Sequence, residues 1–519
     1  MKIDDTIHNF QARMQSCLKS PQAQTLLRML VAVVSVFVIL LFIVTALRRL
    51  RYPYELEQLE GYVFLSALRV FHGQSVYPHP SLEFIPYMYP PGYYYVCAAL
   101  GRVMGMSMAT MRMASILSTL GCFAAIYGLV WSEVRRSMPA IAAAGLYAGC
   151  YAVCQEWFDL GRLDSFFVLL VLLSIYATRR LHPVIAAILW VLAFQTKQSI
   201  LPVAIVMLCC NWREVRRTVS GLITLAIGVV GSVEWLNHAT EGWYSFFVFA
   251  VPKANSDIKL RALAIFWSTD MLRPLALALM VIVAAVAFTR PSLQSQATRF
   301  YLAACSIVPI FWVIRAHAGS TVNALMPIYA LVSVLFGIAL ARLLAWLPSI
   351  DRRLAQGGAL LLLVAVIAQE AAGVYNPGDY LPTVEANKSL AALVAQLRGV
   401  SGEVYEADHP YYAWLAGKPT EADVVSIQDA THASAAVKEE LRTELQTALT
   451  QRRFVALAFD NAEVEDKIDK IAAQKEDWQS CYQTEEATFT FEPDVPSKWM
   501  FARTLPGGAG CAPQPGTVY

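Results

Sequence analysis

The sequence predicts a mainly α, polytopic membrane protein of about eleven transmembrane helices with a C-terminal extracytoplasmic α/β domain. Three observations predict it. Hydrophobic residues make up 57% of the 519 and charged residues only 15%, with positive mean hydropathy; a soluble domain carries about 25% charged residues. Apolar runs recur along the chain, with arginines in every second connection between them. From about Val374 the composition turns mixed and charged. A net charge of +2, with no basic block, argues against a nucleic-acid partner. The ten cysteines are scattered without metal-ligand spacing, and the adjacent Cys209 and Cys210 read as apolar filler.

The first run, Met29 to Leu47, is about 19 residues long, enough to cross hydrocarbon about 30 Å thick. It ends in Leu47-Arg48-Arg49 rather than at a small-residue cleavage site, so it reads as a spanning helix and not as a leader. Further runs lie near 110–131, 138–154, 165–178, 183–196, 199–211, 218–236, 274–289, 300–314, 323–346 and 357–372. Basic residues favour the cytoplasmic side of short loops. The connections holding Arg135-Arg136, Arg179-Arg180, Arg213 to Arg217, Arg290 and Arg352-Arg353 then share the cytoplasm, which puts the N-terminus inside and the C-terminal domain outside. Arg48, Arg49 and Arg51 fall outside, against the rule.

Residues 86–106 are apolar enough to span, but a crossing there would move every later arginine pair outside. They are expected to form an interfacial or re-entrant helix within a first outer loop, 48–108, of the kind tolerated where it lines a cavity. The fifth and sixth runs meet at Gln195-Thr196-Lys197-Gln198-Ser199. Each limb reaches only about 23 Å at 1.5 Å per residue, which sinks the turn below the outer surface. The expected units are a transmembrane domain, 1–373, and a soluble α/β domain, 374–519. In the latter, Gly402 to Tyr405 and Arg453 to Phe459 read as short buried strands, and 434–451 and 462–475 as helices. Cys481 and Cys511 could pair in an oxidising compartment or remain free thiols.

Chemistry-bearing residues collect on the outer side. Glu55, Glu57 and Glu60 follow the first span, and in a helix Glu57 and Glu60 share a face. Carboxylates there can serve as a general base, ligate a divalent cation, or form a solvated turn. Tyr87-Met88-Tyr89-Pro90-Pro91-Gly92 reads as an interface belt or one wall of a cleft, with Tyr89 a substrate contact. In Glu156 to Asp164, Arg162 either neutralises Asp159 and Asp164 or meets a phosphate with its forked donors, and Asp159 is a further substrate-binding candidate. Lys197 either binds phosphate as a point charge or snorkels to water. Gln198, and His317 and Asn323 in the turn Arg315 to Asn323, could hydrogen-bond a polar ligand; Asn323 could instead cap a helix. A divalent metal is possible but not required. No Ser-His-Asp order, Walker loop or Rossmann fingerprint is present.

The acidic residue after the first span, Tyr-Pro-Pro, Arg162-Leu163-Asp164 and Gln195-Thr196-Lys197 occur in that order. Together they resemble the GT-C superfamily of multi-spanning glycosyltransferases, the group of aminoarabinose transferase and the protein O-mannosyltransferases, over about residues 30–330. The resemblance implies a polyprenyl-phosphate-sugar donor, a glycan, lipid or protein acceptor, and an outward-facing site in the cell membrane among membrane lipids. It further implies inverting transfer with an acidic base in the first outer loop. By that resemblance Glu57 or Glu60 is the base, Asp164 the second acidic position, and Arg162 and Lys197 the donor-phosphate contacts. Many members carry aspartate, often Asp-Glu, where this chain has Glu-x-x-Glu. Glu60 is favoured here because Gly61 beside it permits close approach of substrate. A transporter or flippase is the main alternative, since buried charges and many spans suit one too, although internal repeats are not evident. A non-catalytic scaffold or sensor is a third reading.

Overall fold

A computed structural model describes residues 21–210, 212–317, 319–451 and 453–459, and the strands at 482–492 and 495–504. Each apolar run is helical over all or most of its length. Gln22–Leu50, Met108–Val134, Val215–Ala239, Leu260–Thr289, Gln296–Arg315, Val322–Ser349 and Arg352–Ala372 are long and apolar enough to cross a membrane. Ser137–Gly149, Asp164–Arg180, Pro183–Phe194 and Leu201–Cys209 are shorter helices among them. The run expected over 138–154 stops as a helix at Gly149, where a Cβ would lie 3.2 Å from the Cα of Gly373. The chain then folds back through turns at 150–163, burying Tyr151 and Phe158 against Phe42.

Val322–Ser349 is the bundle's centre, buried along nearly all its length, whereas the other long helices leave a broad apolar face outward for lipid. Side-chain pairs establish which connections share an end. Arg179 and Arg180 both reach Glu133, and Arg217 reaches the carbonyl of Leu181. At the other end Arg49 meets Glu156, Arg112 meets the carbonyl of Tyr52, and Gln198 meets that of Val248. The helices thus alternate, with arginine-rich connections at one end and the acidic segments at the other.

Residues 51–107 lie at the acidic end and contain two 13-residue helices, Leu59–Phe71 and Gly92–Met104, packed on each other. Pro91 precedes the second and suits a helix start, where a missing N–H is no loss. The Gly92 N–H donates to the carbonyl of Gln195 at 2.8 Å, and a Cβ there would sit 2.6 Å from that oxygen. Only glycine lets the Tyr-Pro-Pro segment close on the Lys197 turn.

Beyond the last span, a four-stranded sheet forms in the order β1 (Glu403–Glu406), β2 (Phe454–Phe459), β4 (Val495–Thr504), β3 (Tyr482–Glu492). β1 and β2 are parallel, joined through the helices Pro410–Leu415, Val424–Ala433 and Ala435–Thr450, as a parallel pair requires. β3 and β4 form an antiparallel pair that the sequence reading did not anticipate. The expected helix at 462–475, Cys481 and Cys511 lie outside the described residues. This domain docks on the first outer loop: the Ala422 N–H donates to the carbonyl of Leu82, and the Leu82 N–H to Glu444.

Candidate active site

The three glutamates after the first span have three environments. Glu60, in the first turn of Leu59–Phe71, is wholly buried and accepts from four directions. Arg112 approaches it with Nε at 3.0 Å and Nη2 at 2.6 Å, while the Gly161 and Leu56 N–H groups donate at 2.5 and 2.7 Å. Burial works to raise its pKa, but Arg112 and the backbone donors bring the carboxyl below its ordinary value. Glu57 lies three residues earlier, 23% exposed, with Oε2 2.9 Å from Arg162 Nη1. Burial raises its pKa even against the pull of Arg162. Glu55 is buried and pairs with His409 at 2.7 Å. Gly61 does permit a close approach, but of protein: a Cβ there would lie 1.8 Å from Glu55 Oε1 and 2.9 Å from Tyr411 Cβ.

The turns at 150–163 deliver the opposite wall. Arg162 does not neutralise Asp159; it turns to Glu57 and lies over the rings of Trp157 and Tyr87, 4.6 and 5.6 Å from their centroids. Asp159 instead belongs to Arg49, at 3.1 Å, and accepts from the Tyr151 hydroxyl. Burial, outweighing Arg49, raises the Asp159 carboxyl to about 6. Arg49 also holds Glu156 at 3.1 Å, at the end of the bundle opposite the Arg179–Arg180 connection.

Asp164 begins the helix Asp164–Arg180, and its Oδ1 accepts from Lys197 Nζ at 2.8 Å and Asn323 Nδ2 at 3.1 Å. Asn323 Oδ1 in turn accepts from the Thr321 hydroxyl. Lys197 is 7% exposed and sits 5.4 Å from the ring centroid of Tyr89, so it does not snorkel. Gln198 spends its amide on the carbonyls of Met88 and Val248. Arg162 Nε and Asp164 Oδ2 are buried with no hydrogen-bond partner among the described residues. Glu57, Tyr89, Arg162, Asp164, Lys197, Gln198 and Asn323 are thus drawn into one cluster of contacts. No hydrogen bond or ion pair among the described residues joins His317 to them; its backbone bridges Ile258 instead. Nor do three His, Cys, Asp or Glu side chains group among the described residues as a metal would require.

Sequence reasoning missed Arg112 and His409. Arg112 could have been found: a lone arginine between Met111 and Met113 at the edge of an apolar run needs a partner. His409 carries no such local sign.

The model of glycosyltransferase family 87 matches residues 87–315, from Tyr87 through Asp164 and Lys197 to Arg315. The chain superposes on the crystal structure of ArnT from Cupriavidus metallidurans bound to undecaprenyl phosphate with a TM-score of 0.60 and 14% identity, over 92% of this chain and 99% of that one. The apo state of the same protein gives 0.57 at 14% identity over the same shares. This chain is a membrane glycosyltransferase of the GT-C fold. No curated protein sequence matches it. The family match ends short of Asn323 and begins after Glu57 and Glu60, so in this glycosyltransferase the glutamate wall is defined by geometry alone. A transporter is not favoured.

Proposed function

We propose that the enzyme moves a sugar from a polyprenyl-phosphate donor to an extracytoplasmic acceptor with inversion, using Glu57 as the base. The observation that carries this reading is the cluster in which one half-buried carboxylate, Glu57, and two buried cations, Arg162 and Lys197, are linked through Tyr87 and Tyr89 in one set of contacts. Undecaprenyl phosphate bound to the ArnT of like fold supports the donor class. The arginine-rich connections would face the cytoplasm of a cell membrane, with the C-terminal domain outside.

An acceptor hydroxyl is a poor nucleophile, so its proton passes to the Glu57 carboxylate as its oxygen attacks the anomeric carbon of the donor sugar. The bond from that carbon to the phosphate oxygen breaks, and the lipid phosphate leaves with the electron pair. A single displacement inverts the centre. Arg162 and Lys197 stabilise the charge that grows on the phosphate, more strongly in a water-poor site than in solution. Glu60 has no free lone pair for a substrate proton and is assigned to holding Arg112 and the two walls together. Asp164 and Asn323 orient Lys197, Tyr89 lines the donor side, and Asp159 holds the loop rather than the substrate. His317 is left without a role. The acceptor is a glycan, lipid or protein, and a divalent metal is not assigned.

The test is binding of undecaprenyl phosphate by the full-length protein in lipid nanodiscs. Lys197→Met and Arg162→Gln should each weaken it about tenfold or more, the loss of one charge-assisted contact. Wild-type affinity in both would overturn the phosphate assignment.

A further inference from the structure

The loop that carries Glu57 is held from two sides, and one of them is the C-terminal domain. On the membrane side, Arg112 and Glu60 fix the start of the helix Leu59–Phe71. On the other side, residues 408–411 reach the loop on both flanks of Glu57. His409 Nδ1 lies 2.7 Å from Glu55 Oε2, both side chains at most 2% exposed. The Tyr411 hydroxyl donates to the Pro53 carbonyl at 2.9 Å, and the Tyr62 hydroxyl to the Asp408 carbonyl at 2.6 Å. Glu55 Oε1 is buried without a hydrogen-bond partner among the described residues. The imidazole is therefore the polar side chain that holds this carboxylate in place. Gly61 is required to make room for the arrangement, since any Cβ would overlap Glu55.

Residues 53–58 have no regular secondary structure of their own. Their positions are set by what the side chains grip. We infer that His409 is a positioning residue for the transfer reaction: by binding Glu55 it fixes the loop that aims Glu57 at the acceptor. The docked soluble domain is then part of the catalytic scaffold and not merely a lid or acceptor platform. This rests on Glu57 being the base. Without the imidazole, a buried carboxylate is left unpaired and must seek water, dragging the loop with it. A shift of about 1 Å at a reacting group lowers rate about 100-fold.

The experiment compares wild type, His409→Ala, His409→Asn and Tyr411→Phe as full-length proteins in nanodiscs. The side chain introduced by His409→Asn would place an amide N–H near the position of Nδ1, whereas the alanine variant has none. Two quantities are read: amide hydrogen exchange across 53–60, and consumption of a panel of polyprenyl-phosphate monosaccharides. In His409→Ala, exchange at 53–60 should rise about tenfold or more with the helix Met108–Val134 unchanged. Its kcat should fall about 100-fold at unchanged KM. His409→Asn should restore most of both. Tyr411→Phe, which loses one hydroxyl and little packing, should raise exchange at the start of the loop even where the alanine variant fails to fold. Wild-type exchange at 53–60 in both His409→Ala and Tyr411→Phe, or equal defects in His409→Ala and His409→Asn, would overturn the inference. If wild type consumes no donor, the base assignment fails, and the exchange measurement still decides whether His409 holds the loop.

Discussion

Glu57 and Glu60 lie three residues apart at the entry to the helix Leu59–Phe71, and replacing each by glutamine should produce opposite failures. Glu60 receives four donors: Nε and Nη2 of Arg112 and the N–H groups of Gly161 and Leu56. A carboxylate only accepts, so all four contacts are satisfied. A carboxamide has one accepting oxygen and an NH₂ that only donates, so one side must turn two hydrogens toward donors. Arg112, itself wholly buried, also loses its counter-charge. Removing one partner of a buried ion pair costs about 3–5 kcal/mol, and Glu60→Gln should fall in that range. The Glu57 carboxylate accepts from Arg162, and glutamine keeps an acceptor for that contact. Arg162 loses its counter-charge here too, but Glu57 is 23% exposed and water can reach the pair, so a smaller loss than at Glu60, about 1.5–3 kcal/mol, is expected. The loss of a base, in contrast, lowers turnover by about 10²–10⁴-fold. The assays are thermal unfolding of the full-length protein in nanodiscs and consumption of polyprenyl-phosphate sugars below the unfolding range. A Glu57→Gln protein with wild-type turnover, or a Glu60→Gln protein with wild-type stability, would refute the division of labour.

Stability should also depend on pH through Glu55, whose carboxyl burial raises to about 7 in the folded protein, against the opposing pull of His409. Glu57, Glu60, Glu406, Tyr62, Tyr411 and Tyr412 are the other titratable groups around it. A raised pKa means that the folded state holds a proton the unfolded state releases. The contribution is complete below about 4.5 and fades as pH climbs to about 7, by about 3 kcal/mol at 1.36 kcal/mol per unit. Glu55→Gln should flatten the fall in unfolding midpoint across that window, and an unchanged slope would exclude Glu55 as its source. Arg49→Met should destabilise by about 3–5 kcal/mol, because Asp159 is left buried and unpaired; calorimetry finding a wild-type midpoint would remove the ion pair from the account of this loop.

Much of the architecture was legible because its causes are local. Span length is set by hydrocarbon thickness, and arginine placement repeats with each pair of crossings, so the alternation of ends could be read before any contact was known. Two short limbs singled out the Lys197 turn, and Lys197 is buried against Asp164. The helix expected over 138–154 ends at Gly149, which packs closely on Gly373, more than two hundred residues away, a contact invisible in the sequence. The strands at 482–492 and 495–504 pair with each other and, through β4, with β2, and their polar, mixed sequences carry no clean alternation.

The site was legible as a set of residues and illegible as a set of pairs, and the reason is physical. A charge in an apolar stretch is conspicuous because its desolvation is a local property of the sequence. Its role depends on which opposite charge faces it, and that is settled by tertiary packing. Arg162 has Asp159 and Asp164 as neighbours in sequence, yet it pairs with Glu57 from the first loop while Arg49 takes Asp159 and Lys197 takes Asp164. The same exchange of partners separates Glu57 from Glu60. Arg112 approaches from the next span and, with the Gly161 and Leu56 N–H groups, occupies every lone pair of Glu60, so the glutamate beside the permissive glycine is the one least able to take a proton. Glu57, three residues away with a single cation beside it, keeps the capacity that Glu60 has lost.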